Sequence, residues 1–94
     1  MKASNSKEVK IFTDIPNIGP AMMKDFKLIG IADPQDLKKK DPFDLYQRLC
    51  TITCKRHDPC VLDTFMAAVD FMNGNAARPW WHYTAKRKKL FPKL

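Results

Sequence analysis

Six consecutive residues, Ile15-Pro16-Asn17-Ile18-Gly19-Pro20, combine a tight turn with the start of a helix. Glycine puts no side chain between the backbone and a ligand. The first turn of a helix adds amide hydrogens that lack carbonyl partners, at the positive end of the helix dipole. That combination binds anions, phosphate above all. Pro20 has no amide hydrogen, so the expected donors are those of Gly19, Ala21 and Met22, with Asn17 suited to a left-handed bend. Lys24 and Lys27 follow on the same helix and would add charge-assisted contacts to the same or a neighbouring phosphate. An architectural alternative stands beside this one: Ile15 and Ile18 fill the core, and the turn is only a connection.

Cys50, Cys54, His57 and Cys60 give C-x3-C-x2-H-x2-C, enough ligands for a tetrahedral zinc ion but not a standard zinc spacing. Cys50 falls on the core face of one helix and Cys60 in the first turn of the next, both places where thiols pack as small apolar groups. Three cysteines cannot all pair within one chain, so reduced thiols, no bound metal and no cofactor are expected. A reactive thiol is the remaining alternative, at Cys60 beside Arg56 and His57.

Pro79-Trp80-Trp81-His82-Tyr83 gathers aromatics just ahead of a basic run. Trp80 and Trp81 are candidates to stack on exposed bases while Lys86, Arg87, Lys88 and Lys89 hold the backbone. The competing expectation is that the tryptophans fold back over a small core and the basic residues form a solvated tail.

Seventeen Lys and Arg against ten Asp and Glu give a net charge of +7, and no acid follows Asp70. Such a surplus favours polyanionic partners. With 94 residues, 45% of them hydrophobic, the chain can bury one core and is not a disordered segment. No run approaches the roughly 20 apolar residues of a spanning helix, and the start lacks the apolar centre of a secretory signal, so the expectation is a cytoplasmic protein without a membrane partner. No phosphate loop or nucleophile-base set is present, which argues against an enzyme.

Three Asp-Pro pairs, at Asp33, Asp41 and Asp58, mark helix starts, since Asp caps free amides and Pro suits the first helical position. Helices are predicted from about Pro34 to Lys39, Pro42 to Thr53 and Pro59 to Asn73. The last carries Val61, Leu62, Phe65, Ala68, Val69 and Met72 inward, with Asp63, Thr64 and Asp70 facing away. Another helix runs from Pro20 to about Ile29, stopped by Gly30, and a marginal one spans about Lys7 to Thr13.

The segment from Asp14, with the helix after it, resembles the helix-hairpin-helix motif, whose hairpin reads hydrophobic-Pro-Gly-hydrophobic-Gly-Pro. Here Asn17 stands for the first glycine and Met23 for the usual small residue four places after Gly19. Four blocks in order, I-P-N-I-G-P-A-M, D-P-F-D-L-Y-Q-R-L-C, H-D-P-C-V-L-D-T-F and P-W-W-H-Y-T, extend the likeness over about Asp14 to Thr84. In these the chain resembles a family of small bacterial proteins named for a pathogenicity locus or for mitomycin resistance, and the resemblance implies DNA-associated binding without an established activity.

The resulting expectation is an all-α domain of about five short helices resembling a paired helix-hairpin-helix, its second hairpin degenerate. Residues 1–6 are expected to be a flexible N-terminus, 7–84 the domain and 85–94 a basic tail. The expected function is sequence-independent DNA binding, nothing resembling a base-reading helix. The alternative is a protein-interaction adaptor.

Overall fold

Asp33, Asp41 and Asp58 each accept a hydrogen bond from the amide two residues on, at 2.8 Å from Gln35, 3.0 Å from Phe43 and 2.9 Å from Cys60. Each cap is followed by a proline whose fixed φ suits the first helical position. The computed structural model describes residues 2–94 and contains four α-helices: α1 (Pro20–Leu28), α2 (Pro42–Thr53), α3 (Pro59–Met72) and α4 (Thr84–Leu90). Single 3-10 turns lie at Ser6–Glu8, Phe12–Asp14, Pro34–Leu37 and Trp80–Tyr83, and there is no strand among the described residues. Gly30 and Gly74, at φ +91° and +101°, take the left-handed backbone that follows α1 and α3.

The expected five helices are therefore four, and not the same set. The segment from Lys7 to Thr13 divides into two 3-10 turns because the Asp14 carboxylate accepts the amides of Lys10 and Ile11, at 3.0 and 3.1 Å, in place of helical carbonyls. The Asp33 segment stops after one turn. There Asp33 and Asp36 cap each other's backbone reciprocally.

Most of the stretch expected as a basic tail, residues 85–94, folds within α4, which begins one residue earlier at Thr84. What holds it is Asp63, which is completely buried rather than facing solvent as predicted. Arg87 Nε and Nη2 donate to its two oxygens at 2.9 and 3.3 Å, and the Thr84 hydroxyl donates at 2.7 Å. A buried carboxylate left without such partners would cost several kcal/mol, so α4 docks where its arginine and threonine meet Asp63. Beyond α4, Phe91 stacks on Phe43 at 4.2 Å between ring centroids.

The core centres on α3, whose residues from Leu62 to Val69 are all buried. It packs against α2, the Pro34–Leu37 turn, the Trp80–Tyr83 turn and α4. Stacked rings carry the core toward the N-terminus: Phe65 lies 4.9 Å from Phe26 of α1, which lies 5.3 Å from Phe12. The Ala3 amide bonds the Asp14 carbonyl at 2.7 Å, and the Lys2 ammonium reaches the turn that precedes α1.

Candidate nucleic-acid interface

The turn before α1 is anchored from within by Ile15 and Ile18, both fully buried, with the Ile18 amide closing onto the Ile15 carbonyl at 3.1 Å. Between them Asn17 adopts the left-handed backbone, at φ 74°, and so performs the bend that a glycine makes in the motif. Gly19 does not: at φ −103° and ψ −175° its backbone is extended, a conformation any residue adopts. Nor does packing demand a glycine, because a Cβ there would meet no atom within 4 Å. What Gly19 leaves is an uncovered approach to the first turn of α1. It caps that helix without a side-chain acceptor, and the amides of Gly19, Ala21 and Met22 find no hydrogen-bond partner among the described residues.

On the carbonyl side of the same turn, the Lys2 ammonium donates to Thr13 O at 2.7 Å, to Ile15 O at 3.0 Å and to Ile18 O. The carbonyls of Thr13 and Ile18 are thus satisfied by a cation, the Ile15 carbonyl accepts from it in addition to the Ile18 amide, and a positive charge is fixed against the turn. Sequence reading assigned Lys2 to a flexible terminus; no local pattern points from residue 2 to carbonyls more than ten residues away. Lys24 and Lys27 are exposed on α1, three residues apart and hence on one side of the helix.

Asn17 has a second role. Its side-chain amide donates to the carbonyl of Arg78 at 2.8 Å, joining residues 61 positions apart. The aromatic segment is therefore tied to the turn, and Asn17 serves as a tether more than as a ligand contact. Trp80 and Trp81 do not fold back over the core as the competing expectation had it. They are 36% and 64% exposed, with their rings edge to face at 5.8 Å. The aromatic of this segment that enters the core is Tyr83, whose hydroxyl donates to Asp70 at 2.6 Å. Of the basic residues that follow, Lys86, Lys88 and Lys89 are exposed, whereas Arg87 is committed to Asp63 and unavailable to a ligand.

The four residues weighed as zinc ligands are engaged elsewhere or apart. The His57 ring bonds the Thr53 hydroxyl at 2.8 Å, the Tyr46 hydroxyl donates to the His57 carbonyl, and no three His, Cys, Asp or Glu side chains among the described residues are grouped to hold a metal. The cysteines are free. Burial, followed by the adjacent Asp58 carboxylate, pushes the Cys60 thiol above its ordinary value, which is the reverse of nucleophile activation and corrects the reactive-thiol alternative.

A family model described as "Pathogenicity locus" (Cdd1) matches residues 5–89. The chain belongs to that family. A protein of Streptomyces lavendulae named "Mitomycin resistance protein McrB" is 46% identical to it over 78 residues, which cover 83% of this chain and 74% of the relative. No solved structure matches. The matched region in the family takes in the turn before α1, all of α2 and α3 and nearly all of α4, so the docked basic helix belongs to the shared segment and is not an appendage to it.

Proposed function

We propose that the protein binds duplex DNA without regard to sequence, taking a backbone phosphate at the bare first turn of α1. One observation carries the reading: Gly19, Ala21 and Met22 present amides without partners among the described residues, beneath an approach that nothing in the fold requires to be open. The +7 charge, the fixed Lys2 ammonium and the exposed Lys24 and Lys27 all favour the same anion.

A duplex titration of the full-length protein at two salt concentrations tests it. With about three phosphates met by the turn and its lysines, log affinity falls against log salt with a slope near −3, and Lys24→Ala reduces that slope by about one. Gly19→Glu abolishes binding while helicity is retained, since the site tolerates a Cβ. Deleting the chain after Thr84 is not a clean control because it strips Arg87 from Asp63; replacing Lys86, Lys88 and Lys89 by Gln removes their charge and leaves the latch. Normal duplex binding by folded Gly19→Glu would sink the reading. The exposure of Trp80 and Trp81 supports a second one, a protein-interaction adaptor with the turn as scaffold. It predicts indifference to nucleic acid and a stable protein complex that is lost in Trp81→Ala.

A further inference from the structure

Trp81 is an indole held in water at 64% exposure by a segment that is otherwise well fastened. Behind it, Tyr83 is buried and bonded to Asp70 at 2.6 Å, and Thr84 is bonded to Asp63 at 2.7 Å. Ahead of it, the Arg78 carbonyl takes the Asn17 side chain at 2.8 Å, and Trp80 braces the Trp81 ring edge-on at 5.8 Å. A single-turn 3-10 segment, Trp80–Tyr83, connects these anchors. The indole is thus a preorganised platform, and a ligand stacking on it avoids most of the ordering cost that a mobile side chain would impose.

Its position relative to the turn before α1 limits what that ligand is. Trp80 and Trp81 stand two and three residues from the carbonyl bonded to Asn17, a reach of at most about 7 to 11 Å of chain. Phosphates along a stacked strand advance about 3.4 Å each, so the platform lies within about three nucleotides of the point where Asn17 ties the segment to the turn before α1. Within a duplex, the faces of the paired bases are covered by their neighbours. A base that has left the stack, or one just past the end of the paired region, has a face free for an indole. Arg78, three residues ahead of Trp81, is exposed and adds a cation on that side, while the Asp70 carboxylate behind is turned onto the Tyr83 hydroxyl.

Resting on the duplex-binding reading above, we infer that the protein prefers DNA in which a duplex adjoins unpaired nucleotides, with the phosphate backbone on α1 and an unpaired base stacked on Trp81. The chemistry is backbone capture combined with sequence-tolerant stacking, so any base serves.

The test uses the full-length protein with a blunt duplex and the same duplex carrying a three-nucleotide overhang, read by anisotropy and by intrinsic tryptophan emission. The overhang probe is expected to bind about tenfold tighter than the blunt one, the effect of stacking one base, and to quench emission. Trp81→Ala should bring the overhang affinity down to the blunt value and leave the blunt affinity and helicity unchanged, while Trp81→Phe keeps part of the preference. Equal affinity of the wild type for both probes overturns this inference and leaves the duplex reading standing. An overhang preference that survives in Trp81→Ala also overturns it, and frees the indole for a protein partner. If neither probe binds, the duplex reading itself falls, and the junction preference with it.

Discussion

The turn before α1 and the turn before α3 share two features and differ in a third. Each has a non-glycine residue in the left-handed region, Asn17 at φ 74° and Cys54 at φ 55°, and each leads into a helix with proline at its first position. The cap is what separates them. Asp58 turns its carboxylate onto the Cys60 amide at 2.9 Å, and that bond holds the Asp58 carboxyl below the usual carboxylate range, so the second helix start carries its own anion. Gly19 supplies no acceptor, and the first helix start is left bare. One helix end is thus capped by its own carboxylate and the other is left bare, and the cap residue makes that difference.

The largest expected effect breaks the body that carries both turns. Arg87→Ala leaves the Asp63 carboxylate buried and without its cation, and should lower stability by about 3–5 kcal/mol in urea unfolding. Replacing both Asp63 and Arg87 by Leu should restore most of that loss, because no charge then remains buried. Failure of the double variant to recover would mean that α4 is held mainly by something else.

Next comes the exchange of caps. Gly19→Asp gives α1 the carboxylate that α3 has, at a position where φ and packing both accept it. Duplex affinity should fall about a hundredfold, the loss of two hydrogen bonds to a charged group at roughly 1.5 kcal/mol each, with thermal stability unchanged or raised. An anisotropy titration that shows undiminished affinity would remove the significance of the bare cap. The reverse exchange, Asp58→Gly, should lower the melting temperature slightly and leave duplex affinity near the wild-type value.

A smaller effect concerns Lys2. Lys2→Gln removes the ammonium from the carbonyls of Thr13, Ile15 and Ile18, and should weaken duplex binding severalfold while reducing the salt slope by less than a full contact, since the charge acts beside the turn and not on the phosphate. The smallest is a pH effect. The Asp58 carboxyl is depressed in the folded state, so its contribution to stability is present above the ordinary carboxylate value and is lost as pH falls through the depressed one. Asp14, lowered by the amides of Lys10 and Ile11, has the same sign. Asp58→Asn should therefore flatten the acid side of the stability profile, as measured by melting temperature from neutral pH downward.

The helix starts at Asp33, Asp41 and Asp58, the stop at Gly30, and the burial of Leu62, Phe65, Ala68, Val69 and Met72 on α3 are readable in the sequence, whereas Thr64, expected to face away with Asp63, is buried as well. Family membership was readable too, from four short blocks in order. The amides of Gly19, Ala21 and Met22 have no partner among the described residues, and Gly19 is open for want of a side chain and not because of its φ. The tail was misread. Thr84 to Leu90 has no cap signal of its own and a run of like charges, so nothing local predicts a helix there.

By itself, then, the sequence determined the features whose partners are near neighbours: caps bonded two residues on, glycines that accept a positive φ, and apolar spacing that fixes one face of a helix. Only the tertiary structure decided the features whose partners lie far along the chain: Lys2 on the turn carbonyls, Asn17 on Arg78, and Arg87 and Thr84 on Asp63. The physical reason is that a local hydrogen bond is closed by backbone geometry alone. A long-range bond has no such local geometry to close it, and packing chooses which distant residue comes within reach, most strictly for Asp63, which is removed from water and must find a partner.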